Sequence, residues 1–111
     1  MQIQINTDKN IQGREALAGE LSSSIESALS RFSQHITRVE VHLSDENSEA
    51  KGGNDKRCLM EARLEGRPPV AVTDRASTVE VAVKGASAKL ARSIDSTLGR
   101  LNDRATRNLD S

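Results

Sequence analysis

The sequence of 111 residues contains no Trp, no Tyr and a single Phe, Phe32. A row of aromatic side chains on which successive bases stack is therefore excluded. The lone Cys58 cannot close an intrachain disulfide, which fits a reducing compartment. Beside it stand only His35 and His42, too few ligands of the right type for a structural zinc site. No apolar run approaches the ~18 residues that read as a membrane span. Residues 1–6 lack the basic start and apolar stretch of a signal peptide. An excess of one charge is missing as well, with 16 basic and 16 acidic residues. Attraction of the whole chain to nucleic acid or membrane is then not available, and any basic surface must be local. These absences lead to the expectation of a cytoplasmic, soluble domain with no membrane partner.

What is present suffices for one domain. The mass is 12.0 kDa, and Leu, Ile, Val and Phe make up 24 residues. That fraction stands just above the ~20% below which charged chains tend to stay disordered. Residues 1–6 alternate, with Ile3 and Ile5 on one face and Gln2, Gln4 and Asn6 on the other, as in a half-buried strand. Over residues 14–32 the period changes. Leu17, Leu21, Ile25, Ala28, Leu29 and Phe32 form one apolar stripe of a helix whose outer face is rich in serine and glutamate. Period two returns at Ile36, with Val39, Val41 and Leu43 pointing one way and Arg38, Glu40 and His42 the other.

Residues 45–54 are polar, acidic and glycine-bearing, and read as a loop. Residues 57–65 alternate again, with Cys58, Met60, Ala62 and Leu64 inward. Gly66-Arg67 suits a hairpin turn, and Pro68-Pro69 makes residues 70–73 an edge strand. A second helix is expected over residues 78–101, with Val79, Val83, Ala86, Leu90, Ile94, Leu98 and Leu101 on its apolar stripe, followed by a frayed end over 102–111. The order β-α-β-β-β-α predicts an α+β fold: a four-stranded mixed sheet with the first two strands parallel and two helices packed on one face. We divide the chain into a domain over residues 1–104 and a flexible tail over 105–111.

Chemistry is sparse. The serines and histidines form no G-x-S-x-G elbow, and Gly52-Gly53 lacks the spacing of a phosphate loop. Cys58 alternates with core residues, so an inert buried thiol is expected. Glu40, Glu61 and Glu65 share a face with Arg38 and Arg63, which cross-strand ion pairs explain. No enzyme, cofactor, metal or small-molecule substrate is expected. The charge map is more informative: residues 84–111 carry a net +3 and form the only basic segment. On a helical wheel Lys84, Lys89, Arg92 and Arg100 centre almost opposite the apolar stripe. Two readings stand: a solvated outer face, or a ridge that contacts phosphate groups.

Several strings resemble the short form of the ribosome hibernation-promoting factor family, also called ribosome-associated inhibitor or sigma-54 modulation protein. Residues 1–5 look like its first strand, Glu15-Ala16-Leu17 like the opening of its first helix, and residues 35–43 after Phe32 like its helix-to-strand passage. Gly85, then Lys89-Leu90-Ala91-Arg92, then Arg100-Leu101, is similar to its basic second helix. The resemblance covers residues 1 to about 104. It implies a domain that binds the small ribosomal subunit through 16S rRNA and blocks the messenger and transfer RNA channel by occlusion, as a monomer off the ribosome. Lys89, Arg92 and Arg100 match basic positions of the family motif. Lys84 is added from the helical wheel and Arg104 from the C-terminal extension. The chain departs from the family in carrying Ser96 and Leu98 where lysines are often denser, and Thr78-Val79-Glu80 at the opening of the second helix. It lacks the further domain by which long members dimerise ribosomes, and is not expected to do so. The alternative is a protein-binding regulatory module that uses the mixed charges of the open sheet face, Arg38, Glu40, His42, Glu61 and Arg63.

Overall fold

A computed structural model of the chain describes residues 1–8, 14–45 and 56–110, with side-chain detail for 1–8, 17–45 and 56–99. The elements are β1 (Gln2–Thr7), α1 (Arg14–Leu29) continued by one 3-10 turn (Ser30–Phe32), β2 (Ile36–Asp45), β3 (Lys56–Leu64), β4 (Val70–Ala76) and α2 (Val79–Asp110). The strands lie in the order β1-β2-β3-β4, with β1 parallel to β2 and the other pairs antiparallel. This is the expected mixed α+β sheet. The loop expected over 45–54 falls almost entirely on residues 46–55, which lie outside the described residues.

Alternation decides which face is covered. Val39, Val41 and Leu43 of β2 pair with Ala62, Met60 and Cys58 of β3, and all six are buried. Leu21, Ile25 and Leu29 of α1 and Val83, Ala86, Leu90 and Ile94 of α2 close the same core. Ala28 is a correction to the first helical stripe: it is exposed, and Phe32, brought round by the 3-10 turn, fills the core instead.

Ile36 is buried even though strict alternation from Val39 would turn it outward. The β2–β3 register shifts between Ile36 and Arg38, and Thr37 Oγ1 donates to the Arg63 carbonyl at 3.1 Å across the irregularity. A bulge of one residue resets the parity and returns Ile36 to the core.

The β3–β4 connection is a tight turn in which the Arg67 N–H donates to the Leu64 carbonyl at 3.3 Å. Gly66, with φ of 70°, takes its third position, where a type II turn needs a positive φ. The register that follows is symmetric about Gly66, from Ala62 opposite Val70 to Lys56 opposite Ala76.

At the start of α2, Thr78 caps the helix: its Oγ1 accepts the Val81 N–H at 3.2 Å. Glu80 in the first turn complements the helix dipole. The helical backbone continues through residues 102–110, where fraying was expected. No Gly or Pro follows Gly99 to stop it.

Candidate functional site

The site is built where α2 crosses the edge strand β4. Asp74 lies opposite Cys58 in the register and so points to the helix side of the sheet. Its carboxylate occupies the space that a Cβ on Gly85 would fill. Glycine at 85 therefore lets helix and edge strand approach with a carboxylate between them. Lys89, one turn further along α2, reaches back to the same place. Its Nζ donates to Asp74 Oδ1 at 2.9 Å and to the Thr73 carbonyl at 3.0 Å. The lysine is still partly exposed, with 45% of its side chain accessible.

Arg92 stands exposed three residues on and makes no ion pair among the described residues. It lines a recess of about 580 Å³ between α2 and β4, together with Lys89, Val70, Val72 and Ser93. Lys84 is exposed too, but it precedes Arg92 by eight residues, about 12 Å along the axis. Asp95 and Val81, the latter 55% accessible, interrupt the outer surface of α2. The structure thus brings Lys89 and Arg92 together beside β4 and leaves Lys84 apart. Of the basic group that the helical wheel sets opposite the core, Lys89 turns toward the sheet edge, drawn by Asp74. Arg100 and Arg104 lie on the backbone of α2 beyond the residues whose side chains are described.

The sequence reading missed two residues beside this place. Arg57 and Arg75 are register partners across β3 and β4. Folding the chain symmetrically about Gly66 would have paired them, since both stand nine residues from it.

On the open sheet face Glu40 and Arg63 form a cross-strand ion pair of the expected kind, while the pairs Arg38–Glu40 and Arg63–Glu61 run along single strands. Glu40 accepts from Arg38 at 3.0 Å and lies 4.0 Å from Arg63, which is 3.6 Å from Glu61. Arg38 also donates to Gln4 Oε1 on β1. His42 is exposed. Cys58 is buried, and burial together with the nearby Asp74 charge pushes its thiol pKa up to about 12. Such a thiol stays protonated and weakly nucleophilic. Among the described residues no group of His, Cys, Asp and Glu is placed to hold a metal ion, and no helix is long and apolar enough to cross a membrane.

Residues 5–102 match the family model described as sigma 54 modulation protein / S30EA ribosomal protein. No curated protein matches the chain. Among solved structures it is similar to the N-terminal domain of Protein Y from Thermus thermophilus, with 18% identity and a TM-score of 0.67, covering 87% of this chain and 99% of that one. It is also similar to a ribosomal subunit interface protein from Coxiella burnetii, with 17% identity and a TM-score of 0.66, covering 89% and 99%. At these identities the two structures establish the fold.

Proposed function

Since the chain belongs to the sigma 54 modulation protein / S30EA ribosomal protein family, we propose that it is a translation inhibitor that binds 16S rRNA of the small ribosomal subunit and blocks the messenger and transfer RNA channel. The family match carries the reading, because it spans all four strands but the start of β1, and α2 as far as residue 102. The geometry supports it. Arg92 offers a planar, permanently charged fork on an exposed surface, suited to phosphate oxygens. In this reading Lys84, Arg100 and Arg104 are further contacts from α2, and Lys89 joins Arg92 beside the sheet edge. The inhibition is steric: a bound monomer, in the cytoplasm, stands where the RNAs must pass. Residues 1–104 are the binding domain in this reading, and 105–111 a tail.

Cosedimentation with purified small subunits tests it. At ~50 mM salt the protein should pellet with the subunit. Four or five phosphate contacts should give a log–log salt slope of roughly −3 to −4.5. Subunits preloaded with messenger and transfer RNA should bind less. A protein that stays in the supernatant at low salt would sink the proposal.

A further inference from the structure

Another recess, of about 480 Å³, lies where the 3-10 turn, the β3–β4 turn and α2 come together, and it shares no lining residue with the one that holds Arg92. Its volume falls in the ~300–1,000 Å³ range of small-molecule sites. The 3-10 turn contributes Arg31 and Phe32, the β3–β4 turn Glu65 and Arg67, and α2 Asp95 and Gly99. Arg31, Glu65, Arg67 and Asp95 are exposed, and none makes an ion pair or a side-chain hydrogen bond among the described residues. Water satisfies exposed charges well enough, so lack of a partner alone assigns nothing. What sets the place apart is the combination. Carboxylates and guanidiniums ring one recess beside a ready stacking plane: Arg31 Cζ lies 4.5 Å from the centroid of the Phe32 ring, and this cation–π contact steadies the guanidinium. Gly99 leaves the wall open, since a Cβ there would meet nothing within 4 Å.

We propose that this recess binds the base of an unpaired guanine nucleotide. The base stacks on Arg31, as bases in single-stranded RNA stack on guanidinium planes. Guanine alone among the RNA bases presents two adjacent N–H donors, N1–H and N2–H, on its Watson–Crick edge. The paired oxygens of one carboxylate, Glu65 or Asp95, accept both. The Arg67 fork suits the O6 and N7 acceptors of the same base. A bare phosphate or an acidic peptide is disfavoured, because Glu65 and Asp95 repel it. The absence of an aromatic row excludes a run of stacked bases, whereas one base needs one platform. The nucleotide can come from ribosomal RNA or from free solution. The first source rests on the small-subunit reading above; the site itself does not.

The test titrates the 15N-labelled full chain with GMP, AMP, CMP and inorganic phosphate, following backbone amides by NMR. GMP should give saturable shifts at Phe32, Glu65 and Gly99, and AMP should bind about ten-fold more weakly, the order of discrimination that a bidentate base contact provides. Gly99→Leu puts a side chain into the opening. It should abolish the GMP shifts without melting lower than the parent, because leucine is the better helix former. Glu65→Gln/Asp95→Asn should remove the preference for GMP over AMP. Cosedimentation of Gly99→Leu with small subunits then separates the sources. Binding weakened about ten-fold, the order of one lost base stack, makes the guanine ribosomal; unchanged binding makes the ligand a free nucleotide. Absence of saturable GMP shifts, or equal shifts with AMP or with phosphate alone, would overturn the site, and the small-subunit reading would stand if the parent still pellets. A parent that binds GMP but not the subunit would sink that reading and leave the site.

Discussion

Gly85, Asp74 and Lys89 act as one unit. A methyl group at 85 would collide with the Asp74 carboxylate, forcing it to swing away from Lys89. That loss works against the better helix propensity of alanine, about 1 kcal/mol. The two nearly cancel, so Gly85→Ala should change stability little in the parent. In an Asp74→Ala background the same change should stabilise by up to ~1 kcal/mol, and a double-mutant cycle read by urea unfolding measures the difference. Additive effects would mean that the carboxylate does not sit where the helix needs space. Cys58 behaves as a small apolar residue: iodoacetamide at pH 8 should label it only after denaturation. Its thiol pKa is raised from 9.0 to about 12, so the unfolded chain releases this proton first. Its contribution is intact below pH 9 and is lost as pH rises from about 9 to about 12. The parent should lose stability over that window by up to ~1.4 kcal/mol per pH unit more than Cys58→Ala.

At the scale of elements, α2 is held by packing and by its cap. Leu90 is fully buried between α2 and the sheet, so Leu90→Ala should destabilise by ~2–5 kcal/mol through the cavity it leaves. Thr78→Ala removes the acceptor for the Val81 N–H and should cost about 1 kcal/mol. Both are measured by denaturant midpoints at unchanged m-value. Strand β2 shows the limit of reading periodicity alone. Its alternation from Val39 to Leu43 is plain in the sequence, but the bulge at Thr37 that returns Ile36 to the core is not. It depends on a carbonyl of β3, Arg63, which is remote in sequence.

For the whole molecule, the ion pair between Lys89 and Asp74 changes which variant probes binding cleanly. Lys89→Glu would set two carboxylates side by side at the helix crossing and disturb the fold along with the surface. Arg92→Glu leaves that crossing intact. It should weaken attachment to the small subunit at least ten-fold at ~50 mM salt, with an unchanged melting temperature, because a charge-assisted contact contributes about 1.5–3 kcal/mol. Attachment that is unaffected would move the contact surface away from this part of α2.

The order of elements, the parallel start of the sheet, the buried faces except at Ala28 and Ile36, and the basic character of the final segment were legible in the sequence. Each follows from local periodicity or local composition, which neighbouring residues carry by themselves. The arrangement of the charges was decided only in three dimensions. A helical wheel treats Lys89 as solvated because it contains no β4, yet Asp74 lies 15 positions earlier and draws the lysine to the sheet edge. Arg57 and Arg75 fall in stretches of no net basic charge, and only the hairpin about Gly66 sets them face to face. Hydrophobic pattern is a property of neighbours along the chain. The electrostatic field is a sum over neighbours in space, and the register of the strands determines who those are.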